Sequence, residues 1–90
     1  MSLQEIKRKA IALGASDAGI SKVKNKKYYV IYNGKRINFG YKPMEDYTQH
    51  HDEKRRKSYL ARARGIKNKA GKLTYKDKNS SNFWAINLLW

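Results

Sequence analysis

The chain has 90 residues, with 21 Lys plus Arg against 7 Asp plus Glu, a formal net charge of +14, and its size admits one domain with a thin core. It has no Cys, which excludes disulfides and thiolate metal sites, and no segment approaches the roughly 20 apolar residues of a membrane span. Hydrophobic content of 40% with 12% aromatic argues against wholesale disorder, so the expectation is a folded, soluble, intracellular or packaged domain whose cations serve a polyanion.

The charge is unevenly laid out. Residues 1–40 sum to +7, residues 41–52 to −2 and residues 53–78 to +9, while residues 79–90 carry no charged side chain. Ser2-Leu3-Gln4-Glu5 matches a capping box, and Leu3, Ile6, Ala10 and Leu13 recur at helical spacing up to a stop at Gly14. Ala15–Ser21 is short and mixed and reads as one turn capped by Ser16 or Asp17, so residues 1–21 form an amino-terminal helical segment.

Two β-rich runs, Lys27–Tyr32 and Lys35–Phe39, flank Asn33-Gly34, the signature of a type I′ hairpin. A two-residue turn pairs Tyr32 with Lys35, Ile31 with Arg36, Val30 with Ile37, Tyr29 with Asn38 and Tyr28 with Phe39. Tyr28, Val30, Ile37 and Phe39 then share the core face, and Tyr29, Ile31, Arg36 and Asn38 the other. Gly40–His51, with Pro43, reads as a loop. Asp52 caps a helix running to about Arg64, with Tyr59, Leu60 and Ala63 as its apolar stripe, Gly65 in a left-handed C′ position and Ile66 folding back. Lys67–Asn79 is a basic connector, with Leu73 and Tyr75 extended. Ser80 or Ser81 caps a last helix bearing Phe83, Trp84, Ile86, Leu88, Leu89 and Trp90, apolar nearly all round and therefore buried.

The expected fold is a small single α+β domain over residues 1–90: an amino-terminal helix, a β-hairpin open to extension into a three-stranded antiparallel sheet, a basic helix and an aromatic carboxy-terminal helix. Tyr28, Val30, Ile37, Phe39, Trp84, Leu88 and Trp90 belong to the core or to a twofold dimer interface, the dimer being suggested by the surplus of aromatic surface.

Phe39-Gly40, Glu45-Asp46-Tyr47-Thr48-Gln49-His50, Asp52-Glu53-Lys54-Arg55-Arg56, Tyr59-Leu60-Ala61-Arg62 and Leu88-Leu89-Trp90 make an ordered set. Across residues 22–90 it resembles a family of small basic proteins of nucleocytoplasmic large DNA viruses, most like the marseillevirus members. His51 departs from the pattern, standing where those proteins often carry Lys. The resemblance implies a viral protein associated with the virion, present in host cytoplasm and open to the host nucleus, and brings no catalytic activity.

Lys54, Arg55, Arg56, Lys57, Arg62 and Arg64 on one helix form the leading candidate site, because phosphates recruit Lys and Arg by counterion release and Arg adds a bidentate fork. Lys24, Lys26, Lys27 and Arg36 on and before the hairpin form a second region, with Lys22 beside them. The bland reading is a solvated helix face; the charge excess favours a polyanion. His50-His51 beside Glu45, Asp46 and Asp52 suggests a metal, but neighbouring residues on one loop diverge, and the acids suit helix capping and pairing with Arg55 or Arg56. Tyr47 has no evident activating group for nucleophilic work. The Tyr28-Tyr29-Tyr32 cluster suits packing better than base stacking. The expectation is a non-enzymatic, largely sequence-independent nucleic-acid (DNA) binding protein acting in genome packaging or condensation, with no cofactor, membrane or small-molecule substrate. The alternative is a structural virion protein that binds acidic viral or host proteins.

Overall fold

The computed structural model describes residues 3–42 and 46–90. Helix α1 (Leu3–Ala12) buries Ile6 and Ala10 and exposes Lys7, Arg8 and Lys9, as its spacing predicts, while Leu3 in its first turn is exposed rather than buried. The capping residue Ser2 lies outside the described residues. Gly14, at φ +109°, ends the helix, and Lys78 Nζ donates to the Leu13 carbonyl at 2.7 Å, tying the connector to this end.

Ala15–Ser21 is not a capped turn. It contains strand β1 (Asp17–Ile20), paired antiparallel with β2 (Lys26–Tyr32), which pairs in turn with β3 (Lys35–Tyr41) in the order β1-β2-β3. Asp17-Ala18-Gly19-Ile20 has weak intrinsic strand preference. Pairing with β2 and burial of Ala15 and Ala18 make it a strand, so context overrides propensity. The β2–β3 register follows the turn: Tyr32 opposes Lys35, Val30 opposes Ile37 and Tyr28 opposes Phe39, with Asn33 and Gly34 at φ 54° and 77°.

Helices α1 and α4 (Ser81–Leu89) cover the Val30 face of this sheet. Trp84, Phe39, Ile6, Leu88, Leu89 and Val30 are the largest fully buried side chains, each stabilising by about 1.5–3 kcal/mol when removed from water. Tyr28 packs on Phe39 and Tyr32 on Trp84, so these two tyrosines serve the core. The Trp84 indole N–H donates to the Lys78 carbonyl at 2.7 Å, which satisfies the one polar atom of a fully buried ring. Close approach of α4 to β3 depends on Gly40, at φ +80°, where a Cβ would lie 2.9 Å from Leu89 Cδ1.

The segment read as a loop up to His51 holds a short helix, α2 (Tyr47–His50); Pro43 and Glu45 lie outside the described residues. Asp46 caps α2 by accepting from the Thr48 N–H at 3.0 Å, while Gln49 Oε1 accepts from the Asp46 N–H at 3.0 Å. Helix α3 (Glu53–Ala63) starts as expected, with Asp52 Oδ1 accepting from the Lys54 N–H at 3.0 Å. Its end differs. Gly65 has no positive φ and Ile66 is half exposed rather than folded back. The Ala63 carbonyl is instead met by Asn82 Nδ2 at 2.8 Å, a side chain from the first turn of α4. Ser80 caps α4 through the Asn82 N–H at 3.1 Å. Among the described residues no helix is long and apolar enough to cross a membrane.

Candidate nucleic-acid interface

Helix α3 sorts its cations by angle. At about 100° per residue, Arg56, Leu60 and Ala63 share one stripe, which faces α4 and Trp90, and everything opposite meets solvent. Lys54, Arg55, Lys57, Arg62 and Arg64 are exposed there. Arg55 with Arg62, and Lys57 with Arg64, are i,i+7 pairs about 10.5 Å apart along the axis, flanking Lys54, Ser58 and Ala61. Lys54, Arg55, Ser58 and Arg62 line a shallow groove of about 390 Å³ against Tyr59 and Trp90. Those two rings stack in parallel at 4.0 Å. Among the described residues, no carboxylate forms an ion pair with Lys54, Lys57, Arg62 or Arg64.

Arg56 and Lys27, both in the expected site, are bound internally. Arg56 Nε donates to the Trp90 backbone oxygen at 2.8 Å, its guanidinium lies 3.6 Å from Glu53 and its charge sits over the Tyr47 ring at 5.4 Å. Its place on the Leu60–Ala63 stripe turns it inward. Lys27 pairs with Asp46 at 2.6 Å and donates to Gln49 at 2.7 Å, with only 12% of its side chain exposed. That pair joins β2 to α2, so Asp46 meets the hairpin and not the α3 arginines, whereas Glu53 does meet Arg56. The second expected region also divides. Lys24 and Lys26 lie at the β1–β2 turn, with Lys26 opposite Tyr41, while Arg36 opposes Ile31 near the Asn33-Gly34 end, roughly 16 Å away at the strand rise.

Further exposed lysines follow α3 in the chain, where sequence reasoning placed no site. After Arg64 the connector folds back on itself through a bridge between Lys67 and Leu73, closed by the Thr74 N–H to the Ile66 carbonyl at 3.0 Å. Asn68 Oδ1 accepts from the Lys72 N–H at 3.0 Å, and Gly71 takes φ 77°. This turn presents Lys67, Lys69 and Lys72 to solvent. The spacing of Asn68 and Gly71 was the available signal.

The described members of the other constellations are engaged in local contacts. Tyr47 donates its hydroxyl to Glu53 at 2.8 Å, and that bond, with some burial and the Glu53 charge, raises its pKa despite Arg56. A phenol held protonated is the reverse of an activated nucleophile. His50 Nδ1 accepts from the Asp52 N–H at 2.9 Å, and its Nε2 is buried with no hydrogen-bond partner, beside the Trp90 ring. Among the described residues no group of three His, Cys, Asp or Glu side chains converges.

The α3 strip and the sheet share one stretch of chain. The model of a family of unknown function, DUF5754, matches residues 19–63, half of the sequence, and the chain belongs to that family. The match runs from β1 to the last residue of α3. No curated protein and no solved structure matches the chain.

Proposed function

We propose that this protein is a non-enzymatic DNA-binding protein of a large DNA virus that engages the phosphate backbone largely independently of sequence and serves genome packaging or condensation. Lys54, Arg55, Lys57, Arg62 and Arg64 on α3, extended by Lys67, Lys69 and Lys72, are the contacting residues. The observation that carries the reading is the division of labour among charges. Asp17, Asp46 and Glu53 are tied to Lys7, Lys27 and Arg56, while Lys54, Lys57, Arg62 and Arg64 project from α3 without carboxylate partners among the described residues. Unpaired cations on an ordered surface are the electrostatic footprint of a polyanion site. The virion, host cytoplasm and host nucleus are the compartments in which the proposal places it. A twofold dimer belongs to the same proposal, supported by Ile20, Val23 and Tyr41, all about half exposed at one end of the sheet.

Five to eight phosphate contacts make the log–log slope of affinity against salt about −0.9 per contact. Fluorescence anisotropy with a labelled random-sequence duplex at 50–100 mM salt tests this. Steep salt dependence is expected, and failure to bind any duplex removes the proposal. A second reading, an acidic viral or host protein as partner, is favoured by the exposure of Ile66 (50%) and Leu73 (46%) beside the loop lysines. Phosphate binding gives such apolar side chains no role.

A further inference from the structure

We propose that the outward face of the β2–β3 hairpin reads base edges in the major groove of duplex DNA through Arg36 and Asn38. This rests on the DNA-binding reading above and adds a base-selective contact to the sequence-independent one. Strand alternation points Tyr29, Ile31, Arg36 and Asn38 away from Val30 and Phe39, and both α1 and α4 pack on the Val30 side. On the outward side, among the described residues, Arg36 lies over Tyr29, Tyr29 lies against Gly19, and Asn38 meets Ser21 in the turn that follows β1.

Those contacts hold the two polar side chains in place. The Arg36 guanidinium lies 4.4 Å over the Tyr29 ring. Tyr29 lies flat across Gly19, where a Cβ would come within 2.8 Å of the ring, so the bare glycine creates the shelf on which Arg36 rests. Ser21, buried, donates its hydroxyl to Asn38 Oδ1 at 2.7 Å. Asn38 keeps both amide hydrogens and a second lone pair, and Arg36 keeps its fork of donors. Side chains ordered before binding lose less entropy on contact.

The spacing fits a duplex. Residues two apart on one strand face are about 6.8 Å apart, or two base-pair steps. Arg pairs bidentately with guanine O6 and N7, and Asn with adenine N6 and N7, and the B-form major groove admits a two-stranded ribbon, here β3 with β2, the four-residue β1 lying on the far edge of β2 from Arg36 and Asn38. The deep, narrow major groove of A-form RNA does not, so the occupant is DNA. Charge agrees. Lys35 at one end of the ribbon and Lys22 and Lys24 at the other are exposed, and Asp17, the carboxylate of β1, is tied to Lys7 at 3.1 Å.

Selection of the full-length protein on a randomised DNA duplex pool at about 150 mM salt is the test, followed by anisotropy on the enriched and random duplexes. The expected result is a motif holding a guanine and an adenine within about two steps. Arg36→Gln should lose the guanine preference, and Asn38→Ala the adenine preference, by about five- to a hundred-fold each. Random-duplex binding through α3 should persist in every variant, weakened in Arg36→Gln by no more than the loss of one cation, and an unchanged circular-dichroism spectrum and urea midpoint certify that the variants fold. Random-duplex binding with no enriched motif, or a motif that survives both substitutions, overturns the inference while leaving the α3 reading intact. Absence of any duplex binding overturns both.

Discussion

At Gly40 the backbone turns through a positive φ just where β3 passes under α4, and the missing Cβ leaves space for Leu89 on one side and the Lys27 stem on the other, 2.9 and 3.1 Å from where it would sit. Gly40→Ala therefore meets two penalties together: a strained backbone for an L-residue and a clash with a fully buried leucine. The expected loss is about 2 kcal/mol or more, read as a lower midpoint in urea with an unchanged slope. Gly19 differs in kind. Its φ is unremarkable, and what a side chain would displace there is the ring of Tyr29 on the open side of the sheet. Substitution at Gly40 should thus be felt by the core, whereas at Gly19 it should be felt by the outward face.

Helix α3 carries opposite duties on its two sides. Arg56 spends its guanidinium on Trp90 and Glu53, whereas Arg62 projects into the groove beside Tyr59. Arg56→Gln should cost about 1–2 kcal/mol of stability, because a charge-assisted bond to a carbonyl is lost. Arg62→Gln should leave stability within about 0.5 kcal/mol but lower the salt slope of DNA binding by about 0.9. Paired denaturation and salt titrations of the two variants check this. The inward turn of Arg56 was legible in principle, since positions 56, 60 and 63 make an i, i+4, i+7 stripe. The hairpin register was fully legible, because a two-residue turn admits one alignment. Partners far along the chain were not: Asp46 for Lys27 and Asn82 for the end of α3 lie 19 residues away in each case. Nor was β1, whose strand character comes from its neighbour. Local pattern thus defined the exposed cations of α3 and could not tell which others were already engaged.

For the whole molecule, the family match ends at Ala63, yet the core does not. Val30, Ile37 and Phe39 are sealed by Ile6 and Ala10 from one side of the chain and by Trp84, Leu88 and Leu89 from the other. A fragment of residues 19–63 keeps the β2–β3 hairpin, half of β1 and the basic helix but loses both covers, and a chain that short buries too little surface to fold alone. It should show poor dispersion in amide NMR spectra and coil-like circular dichroism, while the full chain gives a resolved spectrum. The aromatic end that motivated a dimer is therefore spent largely within one chain, with Trp84, Leu88 and Leu89 all at 2% exposure or less.

The two tryptophans consequently occupy contrasting surroundings. Trp84 is sealed inside with its N–H bonded, while Trp90 is only partly buried, stacked on Tyr59 at the rim of the α3 groove. Their fluorescence should separate, a blue-shifted component from Trp84 and a red-shifted, quencher-accessible one from Trp90. The molecule carries two intrinsic optical probes, one reporting whether it is folded and the other whether the groove is occupied, and single Trp→Phe replacements assign them.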